Sequence, residues 1–134
     1  MMKFAHAARA VLGATVIALA PAVTQAAGTV AAQGRHVLPG PGGQLLTAIT
    51  VSYGPGEKSG PHRHGASAFV YVLEGEIRSQ VDNGPAQVFK PGESWFEPAG
   101  AHHVVSENAS TTRSTRILVV FVGPTDATLS IPDN

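Results

Sequence analysis

The 134-residue chain contains no cysteine. That absence excludes a disulfide framework, a thiolate metal site and a cysteine nucleophile. Charge is sparse as well: charged residues make up 13% of the chain, nine basic against nine acidic, for a formal net charge of zero. The few Lys and Arg form no cluster, so no surface for nucleic acid or anionic lipid is encoded. No convincing helical repeat follows residue 30, and no Ser/His/Asp set, phosphate loop or paired-carboxylate signature is present. What is plentiful is turn chemistry, with 15 Gly and 10 Pro beside 43% apolar residues. Glycine and proline at that density, without a period, mark short strands joined by tight turns. The length suits one domain.

The amino terminus stands apart. "MMKFAHAARAVLGATVIALAPAVTQAAG" places Lys3 and Arg9 first, then an apolar run from Ala10 to Ala20, then small residues including Thr24 and Ala26. Charged, apolar, small is the order of a secretory signal, and the run is shorter than the ~20 residues a membrane span needs. Residues 1–26 are therefore expected to be a cleavable signal peptide. The mature protein would be periplasmic or secreted, with no membrane anchor. Loss of Lys3 and Arg9 leaves it slightly acidic.

Residues 27–43 are small, Gly- and Pro-rich and aperiodic, which predicts a flexible arm carrying a solvated His36. Strand signals follow at short intervals: "QLLTAITVSY" (44–53), "AFVYVLEG" (68–75), "EIRSQV" (76–81), "AQVFK" (86–90), "SWFE" (94–97), "HHVVSE" (102–107) and "RILVVFV" (116–122). The continuous apolar run at 68–75 predicts a strand buried on both faces, and "DNG" at 82–84 predicts a hairpin turn. In the tail, 124–134, Leu129 and Ile131 can pack as an edge strand. Short strands with turn signals every 8–12 residues predict an all-β sandwich or barrel over 44–123. A core this small makes a homodimer through an apolar outer face a natural expectation.

Histidines supply the chemistry. Side chains two apart on a strand share a face, so His62 and His64 stand side by side with Arg63 turned away. A second turn-plus-histidine unit lies 30 to 40 residues later, where Pro98 to Gly100 leads into His102 and His103. Adjacent residues point to opposite faces, so one of that pair is inward. Two such units on facing strands can bring three imidazoles to one metal; the plain alternative is imidazoles bonded to water and backbone.

These residues resemble the two signature motifs of the cupins, a family of small jelly-roll barrels. Gly56, His62, His64 and Gly75 fall on the first motif, and its glutamate position falls on Ala68. Gly92, Pro98, Gly100 and His103 fall on the second, with Asn108 one residue late. The resemblance covers about 44–123. It implies an all-β double-stranded β-helix (jelly-roll) with His62, His64 and His103 as metal ligands, and His102 outward or behind them. With Ala68 in place of glutamate, either three neutral imidazoles form the site, as in three-His dioxygenases, or Glu97 reaches in to restore a carboxylate. Glu97 is also the one candidate acid/base residue for catalysis. Fe, Mn, Ni, Zn and Cu all suit such donors.

Around the metal, Phe69, Tyr71, Gln80, Trp95, Phe96 and His102 are the candidate pocket residues, with Arg78 assigned to a solvated outer face. The functional expectation is a secreted metal-binding cupin acting on a small organic molecule. It would be either a dioxygenase-type metalloenzyme or a non-catalytic periplasmic module that binds or senses a ligand or metal.

Overall fold

The computed structural model describes residues 28–134; the signal peptide expected over 1–26 lies outside them. Eleven strands and no helix occur among the described residues. They are β1 (Thr29–Val37), β2 (Gln44–Tyr53), β3 (Lys58–Ser59), β4 (His62–Arg63), β5 (Ser67–Glu74), β6 (Ile77–Val81), β7 (Gln87–Phe89), β8 (Ser94–Glu97), β9 (His102–Asn108), β10 (Thr115–Pro124) and β11 (Ile131–Pro132). Every pairing is antiparallel. One sheet has the order β1-β2-β10-β5-β8; the other runs β11-β4-β9-β6-β7, with β3 also on β9. Each sequence segment read as a strand is one, the bounds differing by a residue or two.

Alternation builds the core. On β10, Thr115, Ile117, Val119 and Phe121 are buried while the residues between them are partly or wholly exposed. Val51 and Tyr53 of β2, and Ala68, Val70 and Val72 of β5, join them with Ile77 of β6. Since a period of two sends successive side chains to opposite faces, these residues all point between the sheets. Each large one contributes roughly 1.5–3 kcal/mol by leaving water.

Two expectations are corrected here. Residues 29–37, read as a flexible arm, form β1, which pairs with β2 from Thr29↔Ser52 to Val37↔Leu45. The β-branched and small residues of this stretch complete a ladder rather than fill a core, and almost all of β1 is exposed, which is why no hydrophobic period announced it. β5 is not buried on both faces either: Ala68, Val70 and Val72 are inward, whereas Phe69 is 45% and Tyr71 36% exposed.

Backbone constraints set the site's frame. Gly75 has φ +70, and a Cβ there would stand 2.4 Å from the Ser114 carbonyl oxygen, so no other residue fits. Asn108, the motif residue one place late, is buried and ties the β2–β3 turn to the β9–β10 loop and the start of β10. Its Nδ2 donates to the carbonyls of Gly54 (2.8 Å) and Arg113 (2.7 Å), and its Oδ1 accepts from Ser110 N (2.9 Å) and Thr115 Oγ1 (3.0 Å). The predicted turn at 82–84 is present, with Asp82 at φ 49. Asp82 Oδ1 accepts from His102 N at 2.8 Å, fixing the start of β9.

Candidate metal centre

Register brings the histidines together. In the β4–β9 ladder His62 is the direct partner of His103, and Arg63 of His102. Residues opposite each other across antiparallel strands project to one face, so His62 and His103 share the inner face while Arg63 and His102 share the outer one. His64 follows His62 on that inner side. The turn at Gly100, with φ +81, is stitched to the first unit: Gly100 N donates to the His64 carbonyl (2.8 Å), and Arg63 Nη1 donates to the Gly100 carbonyl (2.9 Å). The two motifs are thus bonded to each other by main chain.

The three rings lie with centroids 4.8 to 6.4 Å apart, and one nitrogen from each falls within 4.8 Å of the others. Two tautomers follow from elementary donor rules, because a carbonyl can only accept. His62 Nδ1 donates to the Gly60 carbonyl at 2.7 Å, and His64 Nδ1 donates to the Leu129 carbonyl. Both Nε2 atoms are left with free lone pairs. His103 Nε2 is bonded to Ser79 Oγ at 2.9 Å, which turns its Nδ1 toward Glu97.

Glu97 borders the trio and is 1% exposed. Its Oε1 accepts from Trp95 Nε1 at 2.8 Å and lies 3.2 Å from His103 Nδ1; its Oε2 lies 3.4 Å from His64 Nε2. Oε2 is buried with no hydrogen-bond partner. Burial pushes the Glu97 carboxyl above its usual range, against the Trp95 hydrogen bond, which favours the anion. Burial also lowers His64, opposed by its bond to the Leu129 carbonyl, and depresses His103 to about 3. The second cause at His103 is repulsion from the neighbouring imidazoles. Neutral, lone-pair-bearing imidazoles beside an orphaned carboxylate oxygen are the donor set a divalent transition metal takes. The residues fit such an ion.

A cavity of about 500 Å³ opens beside the trio, its walls formed by apolar residues such as Ile49, Val51, Val70, Ile117, Val119 and Phe121. His62, His64, Glu97 and His103 supply polar atoms at one region of it, and Tyr53, Ser59 and Ser106 another. There the Tyr53 hydroxyl meets Ser59 Oγ at 2.9 Å and Ser106 Oγ at 3.1 Å. Among the described residues, none that lines it is Lys or Arg.

Of the expected pocket residues, most lie elsewhere. Phe69, Tyr71 and Phe96 face out from the five-stranded sheet, Phe96 with 59% exposure. The period of two was legible on both strands, but which face was inward was not. Gln80 is turned to its own hairpin, donating to the Gly84 carbonyl at 3.0 Å. His102 is outward, 2.7 Å from Asp133, and Arg78 is outward as expected, 2.6 Å from Glu107. Trp95 stays near the site as a buttress, its ring 6.3 Å from that of His103 and its indole N–H on Glu97. The Leu129 carbonyl and the Ser79 hydroxyl were missed. A main-chain carbonyl carries no residue-type signal, and one serine on a strand has nothing to single it out.

The family profile described as Cupin domain matches residues 49–121, more than half of the chain. The chain is a cupin. Among solved structures it is similar to the DMSP lyase DddQ from Ruegeria pomeroyi DSS-3 (TM-score 0.63, 23% identity, 83% of this chain and 54% of that one). It is also similar to the polyketide cyclase RemF from Streptomyces resistomycificus (TM-score 0.55, 26% identity, 66% and 61%). A third is an RmlC-like cupin from Shewanella frigidimarina NCIMB 400 (TM-score 0.51, 23% identity, 68% and 86%). The cupin thus spans little more than half the length of the lyase. No curated protein sequence matches it as a relative.

Proposed function

We propose that this cupin is an exported metal-dependent enzyme that acts on a small, neutral, largely apolar organic molecule, with His62, His64 and His103 holding the metal. The observation that carries the reading is the meeting of three imidazole nitrogens at the wall of a 500 Å³ apolar cavity. A bound Fe, Mn, Ni, Zn or Cu ion would supply a Lewis-acid or, for the redox-active metals, an electron-transfer centre. The chain's own residues do the rest. Carbonyls of Gly60 and Leu129 hold two imidazoles in the tautomer that leaves Nε2 free. The apolar walls of β2 and β10 exclude water and take up the carbon skeleton, and the Tyr53, Ser59 and Ser106 hydroxyls offer one polar anchor. The absence of Lys and Arg from the lining among the described residues favours neutral molecules over dicarboxylates, which would have no cationic side chain to pair the carboxylate that the metal does not take. The similar solved structures include proteins named for reactions on small organic molecules, a lyase, a cyclase and an oxalate oxidase.

Oxygen-dependent cleavage of the dioxygenase type is the reaction class we assign, since an imidazole-rich site beside an apolar cavity accommodates redox-active Fe or Cu. Export follows from the signal sequence at 1–26, and a homodimer from the apolar outer surface bearing Phe69, Tyr71 and Phe96. One preparation tests these readings together. The iron-loaded mature protein should consume O₂ with β-diketones or flavonols in proportion to its iron content, and oxalate should bind weakly or not at all. Its intact mass should place the new amino terminus near Ala27, and sedimentation should give twice the chain mass. Tight binding of the same compounds without O₂ uptake would return the protein to the non-catalytic binding class.

A further inference from the structure

We propose that Glu97 is a fourth protein ligand of the metal, a carboxylate supplied from β8 in place of the one that position 68 on β5 lacks. The inference rests on the metal-binding reading above and deepens it by fixing the donor set and charge of the site as three imidazoles and one carboxylate.

Position is the first support. β5 and β8 are antiparallel neighbours, and the register makes Ala68 the direct partner of Glu97. Directly opposed residues have Cβ atoms about 4.5–5.5 Å apart and project to the same face. Ala68 is 0% and Glu97 1% exposed, so both side chains enter the same interior. A carboxylate removed from one strand can therefore be restored from the next without moving the backbone, and the methyl group at Ala68 leaves the room it needs.

The second support is the state of the oxygens. Oε1 is satisfied by Trp95 Nε1 at 2.8 Å, whereas Oε2 is buried with no hydrogen-bond partner. A charged oxygen left unpaired in the interior costs more than the ~1–3 kcal/mol of a neutral group, so its retention needs a compensating charge. The third support is what Oε2 faces. His64 Nδ1 gives its hydrogen to the Leu129 carbonyl, so the Nε2 atom 3.4 Å from Oε2 presents a lone pair. Two acceptors aimed at each other require a cation between them, either a proton or a metal. His64 and His103, which stand 3.4 and 3.2 Å from the Glu97 oxygens, belong with His62 to a trio whose nitrogens are grouped within 4.8 Å; that grouping offers a metal several donors, where a proton would need only one.

The substitution Glu97→Gln separates the two cations, because an amide can stand in for a protonated carboxyl but carries no charge for a metal. Dissociation constants for Mn²⁺ and Zn²⁺ would be measured by chelator competition on the full mature chain for wild type, Glu97→Gln and the transposed pair Ala68→Glu/Glu97→Ala. Disturbing a group that merely supports ligands weakens metal binding about 10–100-fold. Loss of a direct ligand in Glu97→Gln should exceed about 100-fold, and more for Mn²⁺ than for Zn²⁺ because the harder ion depends more on oxygen. Metal-free Glu97→Gln should melt no lower than metal-free wild type, since it buries no unpaired charge, yet gain less on metal addition. The transposed pair should recover most of the affinity. Wild-type affinity in Glu97→Gln would overturn the proposal, as would a folded transposed pair that binds no better than Glu97→Gln. Should the transposed pair not fold, Glu97→Gln decides alone. Wild type that takes up neither metal would instead overturn the metal-binding reading beneath it.

Discussion

His103 is held neutral by its surroundings, with a pKa depressed to about 3 from the 6.5 of a free imidazole. His64 is displaced in the same direction. A lowered histidine pKa means that, below 6.5, the unfolded chain takes up a proton that the folded chain refuses. Unfolding is then favoured by each drop in pH, by up to about 1.4 kcal/mol for each pH unit per histidine, until the folded pKa is passed. Glu97 acts oppositely: its raised carboxyl favours the folded state at low pH and loses that advantage as pH rises above 4.5 through its folded value. The two histidines outweigh the single carboxyl between 6.5 and the Glu97 range. Metal-free protein should therefore lose stability as pH falls from about 6.5 toward 5, seen as a falling urea midpoint. A midpoint that holds or rises over that interval would contradict the neutral, buried state of these imidazoles.

The histidines were the legible part of the site. His62-x-His64, the Pro-x-Gly turn and His103 sit at fixed spacings, and spacing survives without coordinates. What the sequence could not supply was an inside and an outside. Phe69 and Tyr71 alternate with Val70 and Val72 just as cleanly either way. Val70 and Val72 share the inner face with Ala68, while Phe69 and Tyr71 take the outer one; a shift of register by one residue would have exchanged the two sets. Glu97 was legible as a candidate only; that it stands opposite Ala68 is a fact of register between strands 29 residues apart.

At the level of elements, two segments that looked like loose ends turn out to border the site. β1 adds a ladder to β2, and its Val30, together with Gly28 just before it, lines the cavity. The carboxy-terminal segment crosses the other side. Gly65 N donates to the Thr128 carbonyl at 2.8 Å, and β11 pairs with the strand that carries His62. Asp133 meets His102 at 2.7 Å, while the Leu129 carbonyl orients His64. Such outer contacts position ligands without touching the metal. Both segments lack a hydrophobic period because they pair along an edge and contribute isolated side chains, so composition alone marked them as arm and tail. Removal of residues 127–134 should weaken metal affinity by about 10–100-fold, the range for lost support, while leaving far-ultraviolet circular dichroism of the strands in place. Unchanged affinity in the folded truncation would show that the segment has no part in holding His64.

At the scale of the whole fold, residues 28–134 form a barrel whose inner surface changes character across a short distance, from Ile, Val and Phe of β2 and β10 to the imidazoles on and beside β4 and β9. The five-stranded sheet provides the apolar wall and Glu97, and the opposite sheet provides His62 and His103. Neither could form the site alone. Sandwich or barrel architecture was readable because seven strands announced themselves by composition and turns; the pairing order was not, because register between distant strands leaves no mark in composition. The proposed role of this meeting point is to hold a metal. Elemental mass spectrometry of the mature, tag-free protein, beside a His62→Ala/His103→Ala variant, tests it most directly. Wild type should carry close to one transition-metal ion per chain, and the folded variant should have lost it. No metal in the wild type, even after reloading with Fe²⁺, Mn²⁺, Ni²⁺, Cu²⁺ and Zn²⁺ in turn, would contradict it.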